Sequence, residues 1–304
     1  MYPILFTLFG YQITSFGIFL IIAILSSLFV LWRLARVYEL DSEKILDIFF
    51  LTAIVSLIGS RVFYVATHLD QFESSLKMIL FFKYAGLSFW GAVLTGVIAL
   101  RLIAPRLKMN FWQIADLGIV AVFLLISIIS FGCLFGGCQY GTFYDGWFAV
   151  NQFGIPGTRF PLQLLESGLF ILGFIYFWHA SLKFHFNGKI VSIGLITLAL
   201  IKLALEPLRG DPQVMIAGFR SGILASLLLI LIGLTSFYRQ SKRSFRQDIR
   251  FVLSLFVSRS RRKLVVSKLK RSWYNFFVQT QISTQRWQKN IQKQLRVKST
   301  PTRF

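Results

Sequence analysis

The sequence predicts an all-α polytopic membrane protein of about seven transmembrane helices, with its N-terminus outside and its C-terminus inside. Three observations carry this. The chain is 55% hydrophobic and only 15% charged, where a soluble domain carries about a quarter charged residues. The charges are clustered, which leaves long apolar stretches between them. Seven of those stretches approach the roughly 20 residues that a bilayer core requires of a helix.

The spans are expected at 13–34, 46–67, 80–102, 114–135, 162–182, 190–208 and 214–238. The third and fourth carry internal polar residues. The N-terminal residues lack the basic n-region of a signal peptide, so the first apolar run reads as a retained helix. Orientation follows from Lys and Arg in short loops. Arg33, Arg36 and Lys44 follow the first span, Arg101, Arg106 and Lys108 the third, and Lys183 and Lys189 the fifth. On the other side, the loops hold Lys77 and Lys83, then Arg159, then Arg209. The first set marks the cytoplasmic face.

Two domains are expected, a transmembrane domain over 1–238 and a basic tail over 239–304. The tail holds 18 Lys or Arg against one acid, Asp248, and so supplies most of the net charge of +21. Its apolar residues, among them Phe251, Phe256, Leu264, Leu269, Trp273 and Phe277, recur at helical spacing. This reads as a basic amphipathic helix on the anionic inner leaflet, where each basic residue contributes about 1 kcal/mol. A solvated tail is the blander alternative. Nucleic acid is not an expected partner for a segment tethered to a membrane.

His68, His179 and His185 show no metal-ligand spacing, and no metal site is expected. Two cysteines cannot build a disulfide framework. Cys133 and Cys138 lie five apart, off a common helical face. A disulfide and a free buried pair both fit the sequence.

Charges inside a bilayer are costly and usually face the bundle interior. Arg61 ends the second span. Arg159, Gln163 and Glu166 bracket the start of the fifth. Glu206 and Arg209 end the sixth. All fall on the outer side, where arginines can hold the phosphate of an anionic lipid head group through bidentate contacts. Interfacial snorkelling of Arg61 and Arg159, and a structural Glu166–Arg209 pair, are the plainer alternatives. Gly132, Gly136, Gly137 and Gly141 end the fourth span and permit close backbone approach.

At these residues the chain resembles the prolipoprotein diacylglyceryl transferases, bacterial inner-membrane enzymes with seven spans. The resemblance covers about residues 10–238. Gly59, Arg61 and Tyr64 resemble that family's Gly-Ala-Arg and Tyr. Gly86, Leu87, Ser88 and Phe89 resemble its Gly-Leu-Ser segment. Segment 132–141 sits where its Gly-Asn-rich signature belongs. Arg159, Pro161, Gln163 and Glu166 resemble Arg-His-Pro-x-Gln-x-x-Glu, and Glu206 with Arg209 resembles Glu-Phe-x-Arg. Gly218, Gly222 and Ser226 resemble the pattern of its last helix. Phe16, Trp90, Ser130, Cys133, Gly136 and Cys138 depart from it, replacing respectively a Tyr, a His, an Arg, an Asn, an Asn and a Glu.

The resemblance implies transfer of the diacylglyceryl group of phosphatidylglycerol to the lipobox cysteine of a prolipoprotein, with no dissociable cofactor. It implies catalytic roles for Arg209 and Glu166. It implies phospholipid binding by Arg61, Arg159 and Gln163, over a pocket floor at Gly132, Gly137 and Gly141. A catalytically silent paralogue that binds phospholipid or lipoprotein is the second reading, favoured by the lost His and Arg. A transporter is the third, but the two halves show no internal repeat.

Overall fold

The computed structural model describes residues 4–8, 11–68, 86–152, 154–212, 215–216, 218–241, 244–248 and 250, with 267, 270 and 274. Most of the basic tail, and Lys77 and Lys83, lie outside the described residues. The chain divides into two compact units, Met1–Lys242 and Arg243–Phe304.

The first unit opens with a hairpin of β1 (Ile4–Leu8) and β2 (Tyr11–Thr14). Seven helices follow among the described residues: α1 (Ser15–Val37), α2 (Ser42–Thr67), α3 (Phe89–Arg106), α4 (Phe111–Gly136), α5 (Leu162–Ser181), α6 (Lys189–Leu205) and α7 (Ser221–Ser241). The last turn of α6 tightens into a 3-10 turn, Glu206–Leu208, because Pro207 has no amide proton to continue the ladder. With that turn included, all seven are long and apolar enough to span a bilayer. The protein is a multi-pass membrane protein.

Local chemistry sets the starts. Thr14, Asp41, Ser88 and Asn110 each accept a backbone N–H from the first turn of α1, α2, α3 and α4. These caps explain the shifts from the expected boundaries. The first span begins at Ser15 because Ile13 pairs with Phe6 in the hairpin. The third begins at Phe89 behind its Ser88 cap. The seventh begins at Ser221 because β5 (Met215–Ile216) and β6 (Phe219–Arg220) occupy the residues before it.

The core lies around α4, the most buried helix. Phe123 of α4 meets Phe170 and Phe177 of α5 at ring distances of 5.3 and 4.9 Å, with Leu31 and Leu34 of α1 and Leu198 of α6 in the same cluster. α2 and α3 meet along small residues. A Cβ on Gly59 would lie 2.2 Å from Thr95, and one on Gly91 2.5 Å from Phe63. Close backbone approach of this kind drives helix association in lipid, which offers no hydrophobic preference of its own.

Candidate functional site

One end of the bundle gathers the start of α1, the ends of α2, α4 and α6, and the starts of α3, α5 and α7. Its centre is the segment that leaves α4. Gly137 stops the helix in a left-handed conformation, φ 76°, and its amide closes on the Cys133 carbonyl at 2.9 Å. A disulfide joins Cys133 to Cys138 across that turn. Gln163, fully buried at the start of α5, donates to the Cys138 carbonyl at 2.8 Å. Its own Oε1 is buried with no hydrogen-bond partner among the described residues.

Residues 140–144 then pair with two further segments. With the segment after α6, Thr142 donates to Leu208, Gly210 donates to Tyr140, and Gly141 pairs with Arg209. With the segment before α5, Phe160 donates to Thr142, Tyr144 donates to Thr158, and Phe143 pairs with Arg159. Beyond that, β4 (Thr158–Arg159) pairs with β3 (Val150–Asn151). The backbone must approach closely here. A Cβ on Gly141 would lie 2.4 Å from the Phe160 carbonyl oxygen, and one on Gly210 2.3 Å from that of Gly141. This ladder pairs Arg209 and Arg159 with positions two residues apart on one glycine-bearing segment.

The two arginines are held differently. Arg209 makes a two-pronged ion pair with Asp211, Nε to Oδ1 at 3.0 Å and Nη2 to Oδ2 at 2.7 Å. Burial works against its charge, but Asp211, then Glu206 and Glu166, outweigh that and raise its pKa, so the guanidinium stays charged. Arg159 is buried. It donates to the Pro156 carbonyl and lies 3.5 Å from the Phe143 ring centre and 5.2 Å from that of Tyr140.

Glu166 sits deeper. Its Oε1 accepts from Ser130 of α4 at 3.0 Å and from Lys202 of α6 at 2.6 Å, all three residues being buried. The Lys202 ammonium lies 4.6 Å from the centre of the Phe89 ring. Glu206 is buried beside Gly222 of α7, and Arg220 donates to its carbonyl at 2.9 Å. At the end of α2, buried Arg61 donates to Gly86 at 2.8 Å and lies 5.8 Å from the centre of the Tyr64 ring, on which His68 stacks at 4.3 Å.

The structure thus brings Arg159, Gln163 and Arg209 around the segment that carries Gly137 and Gly141. Arg61 belongs to the neighbouring α2–α3 seam. Gly132 and Gly136 face α1, where added Cβ atoms would lie 2.5 Å from Phe19 and 3.1 Å from Phe16. Glu166 is engaged by Lys202 rather than by the arginine expected of it. Lys202, Ser130 and Asp211 were not foreseen as site partners. A lone Lys near the end of an apolar helix carries one available signal, the cost of burying it without a partner.

Fold and site define a helical multi-pass membrane protein with a cluster of arginines and carboxylates at one membrane face. The chain belongs to the prolipoprotein diacylglyceryl transferase family, whose sequence model matches residues 3–239. It is 25% identical over 244 residues to the phosphatidylglycerol–prolipoprotein diacylglyceryl transferase of Finegoldia magna, covering 80% of this chain and 97% of that one. The protein of the same name from Clostridium novyi is 24% identical over 267 residues, 81% of this chain and 100% of that one. That of Streptococcus pneumoniae is 25% identical over 249 residues, 79% and 95%.

Proposed function

We propose that this chain is an enzyme of the bacterial inner membrane that transfers the diacylglyceryl group of phosphatidylglycerol to the lipobox cysteine of a prolipoprotein. The sulfur–carbon bond of a thioether forms, the carbon–oxygen bond to phosphate breaks, and glycerol phosphate leaves with its charge. The thiol releases its proton to water before it attacks, because the thiolate is the nucleophile.

The observation that carries this reading, beside family membership, is the ladder that pairs Arg209 with Gly141 and Arg159 with Phe143, two residues apart on one segment. Two arginines so spaced suit a phosphodiester before cleavage and a phosphate after it, and stabilise the charge that develops on the leaving oxygen. Arg209 and Glu166 take the catalytic roles, Arg209 on the phosphate and Glu166 in the charge network behind it. Arg61, Arg159 and Gln163 bind the phospholipid. Gly137 and Gly141 let the backbone approach it, while Gly132, expected on the pocket floor, packs against Phe19 of α1. Trp90 packs against the core and Ser130 donates to Glu166, so neither offers a proton acceptor. That observation favours the second reading, a silent lipid- or lipoprotein-binding paralogue.

The site faces outward in this proposal, with N-terminus out and C-terminus in. The Lys and Arg distribution supports it. The Cys133–Cys138 disulfide supports it independently, because such bonds persist in oxidising compartments. The basic tail over 239–304 then meets anionic lipids of the inner leaflet.

Cells depleted of their own transferase and supplied with this gene test the reaction, read by the mass of a reporter lipoprotein. The expected result is a modified reporter. Arg209→Ala lowers transfer on the order of 10²–10³-fold, the usual cost of one stabilising donor. An unmodified reporter, with the protein present in the membrane, puts the silent paralogue in front.

A further inference from the structure

The ladder beside the arginines ends in a loop, residues 142–152, with an unusual surface. Trp147 is 93% exposed and Phe143 70%. Phe148 is 37% exposed. Isolated apolar residues on a surface are ordinary, but a contiguous aromatic patch marks an interaction site. Trp147 and Phe148 share one ring cluster with Tyr144, while the Phe143 ring lies against Arg159. Tyr144 stacks on Phe148 at 4.8 Å, and Trp147 meets Phe148 edge-on at 4.9 Å. Phe160 closes the base, at 5.7 Å from Tyr144 and 5.8 Å from Phe148.

The loop is also nearly free of charge. From Phe143 to Asn151 the one residue charged at neutral pH is Asp145, and its carboxylate accepts a hydrogen bond from Thr158. Water is therefore a poor neighbour for this tip. The hydrocarbon core is worse, because irregular backbone exposed to lipid leaves its amides and carbonyls unsatisfied. The zone between suits it, where the amphipathic rings of Trp and Tyr sit at head-group level.

Continuity with the bilayer-facing surface selects the occupant. Near the loop's end, Val150 and Asn151 pair with β4, which leads into α5, whose first turn exposes Leu164 at 41% and Leu165 at 39%. On the neighbouring β5–β6 hairpin, Met215 is 61% and Phe219 59% exposed. Apolar exposure thus continues from a membrane span onto the loops at this end.

We infer that loop 142–152 is an interfacial anchor, with Trp147 and Phe143 seated in the phospholipid head-group region of the leaflet at the arginine end. The partner is the lipid surface itself. The anchor has a consequence for the site, because the ring of Phe143 is the one on which the Arg159 guanidinium rests. Lipid that seats Phe143 also holds Arg159, at the height where a phospholipid phosphate lies.

The test uses the full chain in phosphatidylcholine–phosphatidylglycerol nanodiscs, with its 7 tryptophans replaced by 5-fluorotryptophan. The fluorine resonance that disappears in Trp147→Phe reports this position. Lipid carrying a spin label high on its chain is expected to broaden that resonance beyond detection, and a soluble gadolinium chelate to leave it sharp. Broadening by the chelate with none from the lipid overturns the inference in favour of a solvated loop. A resonance open to the chelate until a signal-peptide segment is added also overturns it, in favour of a peptide-docking surface. The measurement requires no transfer activity, so its failure is separate from failure of the proposed reaction.

Discussion

The two ends of the bundle are built on different principles. At the end opposite the arginines, Asp116 of α4 accepts the backbone N–H groups of Gly188 and Val191, both at 2.7 Å. These are amides at the opening of α6, where a carboxylate satisfies otherwise orphaned donors. His185 Nδ1 lies 3.8 Å from Asp116, and His185 Nε2 lies 2.6 Å from the Tyr38 hydroxyl. Tyr38 donates in turn to the Ser181 carbonyl at 2.7 Å. The network closes on backbone and clasps the ends of α1 and α5 to the starts of α4 and α6. At the arginine end two ion pairs join charged side chains, Arg209 with Asp211 on the segment after α6, and Glu166 of α5 with Lys202 of α6. A side-chain partner can be exchanged for a ligand, whereas a backbone cap is consumed by the fold. That difference separates the end that holds the protein together from the end suited to chemistry.

The Glu166–Lys202 pair gives the largest expected effect. Both groups are buried, so removing one partner leaves an uncompensated charge at a cost of about 3–5 kcal/mol. Glu166→Gln and Lys202→Met are each expected to lower the unfolding temperature in nanodiscs sharply. The double variant removes both charges and is expected to recover most of that loss. Additive losses in the double variant would show that the two residues act independently. Transfer activity sharpens the comparison. A purely structural pair regains activity with stability in the double variant, and a catalytic Glu166 does not.

A smaller effect tests the glycine ladder. Gly141→Ala drives a Cβ to 2.4 Å from the Phe160 carbonyl oxygen, and overpacking of this kind costs about 1–3 kcal/mol. Gly118 of α4 has nothing within 4 Å of its would-be Cβ. Gly118→Ala is therefore expected to stabilise the helix by about 0.5–1 kcal/mol. Equal responses from the two alanines would break the claim that close approach at residue 141 sets the site. The readouts are unfolding temperature and the KM for phosphatidylglycerol, with only Gly141→Ala raising the latter.

Much of the arginine end was legible because burying charge in a membrane is costly, which makes Arg159, Glu166, Glu206 and Arg209 conspicuous among apolar neighbours. Their partners were less legible. Glu166 and Lys202 lie on different helices 36 residues apart, and no local pattern states which helices touch. Ser130 passed for a simple loss of the family's Arg, yet its hydroxyl meets the same carboxylate oxygen as Lys202. The two-residue strands Val150–Asn151 and Thr158–Arg159 are too short to show alternation, and they are what aligns Arg159 with the α4 exit. The cysteines stayed open because helical spacing keeps residues 133 and 138 apart. The left-handed Gly137 ends the helix between them and brings their Cα atoms to 4.9 Å. The opposite clasp was missed altogether, since Tyr38, Asp116 and His185 form no motif in sequence.

That clasp supplies the smallest and most specific prediction. Burial, and secondly the charge of Asp116, push the Tyr38 phenol from 10.0 up to about 12. Between those values the folded chain keeps a proton that the unfolded chain has lost. The contribution of Tyr38 is therefore complete below pH 10.0 and disappears as the pH rises to about 12. Tyr38→Phe loses the hydroxyl's hydrogen bonds, about 1 kcal/mol at any pH, but carries no proton to lose. Unfolding temperatures in nanodiscs at about pH 9 and about pH 11 separate the two contributions. The wild-type chain is expected to lose more than the variant over that interval, so the gap between them narrows at the alkaline end. Parallel losses would mean that the Tyr38 phenol is solvated rather than held beside Asp116, and that the end opposite the arginines is less closed than its hydrogen bonds imply.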